Sequence, residues 1–141
     1  MSKVITATFA DSVQARPGQK FSVLGGGINR LTPPNLPAVF NRLDVLMILE
    51  FEAGEQKLNF KGTLRTPAGD SMAELTAEVN REHFENSETA WLGAPLPPLH
   101  FQVPGRYTFE LASGDSVKTF FLDVIGPVVV HMPAGDTGLP N

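Results

Sequence analysis

Apolar and polar residues alternate through most of this chain with the two-residue period of a half-buried strand. The pattern is cleanest between Pro104 and Val124. After Pro104-Gly105, Tyr107, Phe109 and Leu111 fall on one face and Arg106, Thr108 and Glu110 on the other. Ser113-Gly114-Asp115 turns the chain, and Val117 to Val124 returns with Phe120, Leu122 and Val124 on one side. This predicts a complete β-hairpin. Two strands alone are not stable in water, so the rest of the sequence must supply strands that cover the apolar face.

The same reading predicts strands upstream. Val4 to Ala10 is a first strand, ended by Asp11-Ser12. Arg16-Pro17-Gly18-Gln19 has the proline and glycine placement of a type II turn, from which Lys20 to Leu24 leaves as a second strand. Gly25, Gly26 and Gly27 follow, a structural triplet expected to form a bulge or sharp bend. The three prolines in Thr32–Pro37 restrict that segment to an ordered loop or an extended edge. Leu43 to Glu52 is apolar on both faces in its middle, which places it centrally, whereas Lys57 to Arg65 alternates and keeps one face in water.

Ser71 to Glu82 pulls two ways. Ser71 and Glu74 have capping-box spacing, and Glu74, Glu78 and Glu82 could line a helix. Ala73, Leu75, Ala77 and Val79 nevertheless alternate with Glu74, Thr76, Glu78 and Asn80, and the preceding turn suits a hairpin, so a strand is predicted. Glu82 to Glu88 reads as a polar loop. Trp91 to Leu99 reads as a proline-rich segment extended over the sheet, with Trp91 and Leu96 packed down.

Short strands separated by regular turn signals predict an all-β fold, an antiparallel β-sandwich of immunoglobulin-like type with seven to eight strands. The domain spans residues 1–124 and an extended arm spans 125–141. Tyr107, just after a Pro-Gly corner, is either a tyrosine corner whose hydroxyl bonds a backbone group upstream or a plain core tyrosine. In the arm, Val128, Val129, Val130, His131 and Met132 form a β-prone run set apart by Gly126-Pro127. That run either completes its own sheet or pairs with a neighbouring edge.

At 141 residues the chain is long enough to bury about 68% of its unfolded surface as one domain. With no cysteine, disulfides, thiolate catalysis and Cys-bound zinc are excluded. The net charge is −4 and the 11 basic residues are scattered, which argues against nucleic acid as a partner. No apolar run has the length of a membrane span or signal-peptide core, so neither a membrane partner nor secretion is expected.

Chemical signatures are equally sparse. Gly25-Gly26-Gly27 is followed by Ile28-Asn29 where a phosphate-binding loop needs Lys-Ser/Thr, and a dinucleotide fingerprint would need glycine at Arg30. His83, His100 and His131 lie in separate segments without metal-site spacing, and Glu82, His83 and Glu85 read as a solvated loop. No Gly-x-Ser-x-Gly elbow occurs. The expectation is therefore no catalytic residues, no cofactor and no metal.

The stretch Gly18-Gln19-Lys20-Phe21-Ser22-Val23-Leu24-Gly25-Gly26-Gly27-Ile28-Asn29-Arg30-Leu31, together with Pro104-Gly105-Arg106-Tyr107-Thr108-Phe109, resembles a family of small all-β proteins from bacteria and actinobacterial phages, a domain of unknown function. The resemblance covers roughly residues 3–124 and implies a sandwich fold and a phage origin, but no activity. The function expected is a non-catalytic protein-interaction module, most concretely a phage head-decoration or minor capsid protein in the virion. Its partner would be itself or a capsid protein, engaged through the C-terminal arm in an oligomer or larger assembly. The alternative is a module of the bacterial cytoplasm holding a small ligand or peptide between the Gly25–Leu31 bend and the Pro33–Pro37 loop.

Overall fold

The computed structural model describes residues 3–15 and 20–126. They form eleven strands: β1 (Lys3–Gln14), β2 (Ser22–Ile28), β3 (Arg30–Leu31), β4 (Ala38–Phe40), β5 (Asp44–Glu50), β6 (Lys57–Arg65), β7 (Ser71–Asn80), β8 (Thr89–Pro95), β9 (Leu99–Phe101), β10 (Gly105–Ser113) and β11 (Ser116–Val124). A four-stranded sheet runs β2-β1-β5-β8, a five-stranded sheet runs β3-β11-β10-β6-β7, and β4 and β9 form a two-stranded ribbon. The protein is all-β. Every pairing is antiparallel except β3 beside β11, which is parallel.

One core joins the two larger sheets. Tyr107, Phe109 and Leu111 of β10 are buried as their alternation requires, and Val4, Ala7 and Phe9 of β1 and Val45, Met47 and Leu49 of β5 join the same cluster. Phe9 meets Phe109 edge-on, with ring centroids 5.6 Å apart. Gly62 of β6 lies in an inward row between Phe60 and Leu64, and a β-carbon there would come within 2.5 Å of the Phe109 ring. Absence of a side chain is what admits the ring. The Tyr107 hydroxyl donates to the Val103 carbonyl at 2.7 Å, so its buried oxygen is paired.

Several boundaries differ from the pattern-based expectation. β1 does not stop at Asp11-Ser12 but pairs with β2 as far as Gln14, because the Val13 N–H, beyond the reach of β5, donates to the Asp44 carboxylate at 2.8 Å. Ile5 is an extra residue opposite β5, which is why Val4 and Ala7 both point inward at a spacing of three. The glycine triplet lies inside β2 rather than after it. Thr89–Pro95 is not a segment lying over the sheet but an edge strand hydrogen-bonded to β5, with Pro95 at its end where a missing donor costs least. Trp91 packs edge-on against Phe84 at 5.3 Å, and Leu96 is buried.

Ser71–Asn80 is a strand, paired along its length with β6 and bulged at Met72. Its glutamates reach diagonal lysines across the ladder, Glu78 to Lys57 at 3.6 Å and Glu74 to Lys61 at 3.7 Å. The polar stretch that follows opens with a 3₁₀ turn, Arg81–Phe84, whose anchor is the buried Phe84. Arg81 ties this turn to its neighbours by donating to the carbonyls of Ser87 and Glu55. The three short strands, β3, β4 and β9, raise the count above the expected seven to eight; two or three residues beside prolines show no alternation to read.

Two substitutions probe this core. Gly62→Ala should destabilise by roughly 1–3 kcal/mol in urea unfolding, because the added methyl overpacks a ring held between two sheets. Tyr107→Phe should cost about 1 kcal/mol in the same measurement, since it leaves the Val103 carbonyl without its donor.

Candidate functional site: the groove between β1 and β11

β1 and β11 are each paired on both sides over only part of their length. β2 begins to pair with β1 at Phe9, so among the described residues the earlier part of β1 has no strand hydrogen-bonded on that side. β3 covers β11 only at Asp123 and Val124. The Asp123 N–H donates to the Asn29 carbonyl at 2.9 Å, so Asp123 faces away from β10. By the alternation of an antiparallel ladder, Thr119 and Phe121 also turn their N–H and C=O groups away from β10. These groups line the edge of a groove of about 540 Å³ whose far wall is Ala7–Phe9 and whose roof is the Gly27–Arg30 crossover.

The groove is closed at its other end by two contacts between β1 and β11. Val4 N–H donates to Ser116 Oγ at 3.0 Å, and Lys118 Nζ donates to the Ile5 carbonyl at 3.1 Å. Its roof depends on the glycines. Gly27, at φ +77°, is the extra residue in the β2 ladder against Phe9 and Ala10, and its N–H donates to Thr8 Oγ1 at 3.1 Å. Gly25, at φ +62°, lies where a β-carbon would run into the Asp11 carboxylate. Gly26 is not in the left-handed region, but a β-carbon there would come within 2.7 Å of Val23. The triplet thus lets the chain leave one sheet at Ile28 and enter the other at Arg30.

Charge is unevenly placed in the groove. Arg106 pairs side by side with Asp123, Nε to Oδ1 at 2.9 Å and Nη2 to Oδ2 at 3.2 Å, and its guanidinium lies over the exposed Phe121 ring, 4.5 Å from the centroid. The hydrogen bond from Arg106 holds the Asp123 carboxyl below its ordinary range, with the charges of Arg106 and Arg30 acting in the same direction against desolvation. Arg106 is correspondingly raised by its hydrogen bond to Asp123 and by that carboxylate's charge. Arg30 has no ion pair of its own among the described residues. Among the described residues the groove thus presents outward backbone donors and acceptors, an aromatic ring and a guanidinium without an ion pair of its own.

Of the residues singled out from the sequence, Gly25, Gly26 and Gly27 shape this groove and Tyr107 stands apart in the core. Val128, Val129, Val130, His131 and Met132 lie outside the described residues, as does the Arg16–Gln19 turn. Pro33–Pro37 does not line the groove, whose second wall is β1 and β11. His83 sits in the 3₁₀ turn and His100 on β9; among the described residues no three His, Cys, Asp or Glu side chains gather. Arg30, Arg106, Phe121 and Asp123 were not singled out. The Arg106–Asp123 pair was legible, because the hairpin turn sets Ser113 opposite Ser116 and hence Arg106 opposite Asp123.

Residues 5–122 match a family described as a family of unknown function, DUF6941. The chain belongs to that family. No curated protein matches it. The part shared with DUF6941 contains both walls of the groove, the glycine roof, Arg30 and Arg106, and ends one residue before Asp123.

The ion pair gives a direct test. A carboxyl whose value is lowered on folding contributes stability above its ordinary range and loses it as pH falls through the lowered value. Arg106→Gln should therefore shift the Asp123 titration upward toward the ordinary carboxylate range, read by the carboxyl carbon in NMR. Identical midpoints in the two proteins would show that Arg106 does not set it.

Proposed function

We propose that this DUF6941 protein is a non-catalytic protein-interaction module that takes up an extended segment along the open edge of β11. The observation that carries the reading is the outward N–H and C=O of Thr119 and Phe121, uncovered among the described residues where β3 pairs with only Asp123 and Val124. An exposed strand edge is a template for another strand, in which main-chain hydrogen bonds supply affinity and flanking side chains supply selectivity. Phe121, 47% exposed beside that edge, offers an apolar face for such a segment.

An immunoglobulin-like sandwich is the finer reading of the fold. It draws on two sheets sharing one core and on Tyr107 bonding a carbonyl four residues upstream, in the manner of a tyrosine corner. The most concrete role within this reading is a phage structural accessory, a head-decoration or minor capsid protein. It is supported by the resemblance to proteins of bacteria and actinobacterial phages and by the β-prone run Val128–Met132. A small-ligand module is the second reading, favoured by the groove volume of about 540 Å³, which lies in the range of small-molecule sites.

A photo-crosslinking benzophenone at position 121, used in the native host, separates these. Strand uptake predicts covalent adducts with one discrete polypeptide, lost in Thr119→Pro, which removes an outward donor and leaves the β10 ladder whole. For the structural-accessory role that polypeptide is a virion component or a second copy of this chain. Absence of any polypeptide adduct, with the protein folded, would refute the interaction reading.

A further inference from the structure

We infer that the segment taken up along β11 is acidic, with an aspartate or glutamate at the end that abuts Arg30. This rests on the strand-uptake reading and names the chemistry of its partner. β3 occupies the same edge of β11 at Asp123 and Val124. A strand bonded to Thr119 and Phe121 therefore runs in line with β3 and ends against Arg30.

At that end the charges do not balance. Arg106 is committed to Asp123 and to the Phe121 ring, while Arg30 pulls on the same carboxylate without an ion pair of its own among the described residues. Two guanidinium groups thus share one carboxylate. At the far end, among the described residues, Lys118 reaches a backbone carbonyl, that of Ile5, and no carboxylate. The chain as a whole carries −4, so this cationic lining runs against its average and selects for an incoming carboxylate. The valine run Val128–Met132 contains none and is the wrong occupant on these grounds.

Four blocked peptides test this on the full chain by fluorescence anisotropy. The first has the sequence of residues 126–133; the second carries His131→Asp; the third carries His131→Asn; the fourth is the second with alternate amides N-methylated. The aspartate peptide should bind roughly three- to fivefold more tightly than the asparagine peptide at low ionic strength. That preference should vanish in Arg30→Gln, an exposed position, and shrink at about 0.5 M salt. N-methylation should abolish binding of the aspartate peptide.

Equal affinity of the aspartate and asparagine peptides, with N-methylation still abolishing binding, overturns the acidic partner and leaves strand uptake standing. Tightest binding by the unaltered peptide overturns it in favour of the chain's own arm as occupant. Failure of every peptide to bind, or indifference to N-methylation, removes strand uptake and the acidic partner together.

Discussion

The fold depends on a ring that has somewhere to go. Phe109 projects from the centre of the five-stranded sheet, crosses the space above Gly62 and meets Phe9 of the other sheet edge-on. Interiors pack at crystal-like density, so a side chain at position 62 could be accommodated only by moving the ring or parting the sheets. Around this contact the inward rows of β1, β5, β6 and β10 close into one cluster, and Tyr107 brings its hydroxyl into that cluster already paired.

The groove follows from how the chain changes sheets. β2 must leave β1 before it can supply β3 to β11, and the bulge at Gly27 makes the change within three residues. So abrupt a crossing leaves β3 only two residues with which to cover β11. A longer β3 would have sealed the edge; a two-residue one leaves backbone polar groups facing a gap that, among the described residues, Lys118 and Ser116 close at one end. The groove is thus a by-product of sheet switching, and Arg30 and Arg106 give its lining a cationic character.

Most of the strands were legible because a residue's face follows from its parity. The hairpin β10–β11, the central β5, and β7 against its capping-box signal all obey that rule. What parity misses is where it slips. Ile5, Gly27 and Met72 each insert one residue into a ladder, and the first hides the inward pairing of Val4 with Ala7. The end of β1 was obscured for another reason: it is held by a carboxylate 31 residues away, Asp44, with no local signal. The groove was hardest to see, since it joins Arg30, Thr8 and Arg106 from distant parts of the chain, and only the Arg106–Asp123 pair can be counted out from a turn.

The contacts that close the groove span 112 and 113 residues of sequence, whereas the β10–β11 hairpin closes over a two-residue turn. Loop-closure entropy makes local hairpins quick to form and pairings between chain ends late. During synthesis β1 emerges well before β11 and must wait for it before its open side acquires that neighbour. The groove is therefore a late seam of the folding reaction, absent from any nascent chain in which β11 is still to be made.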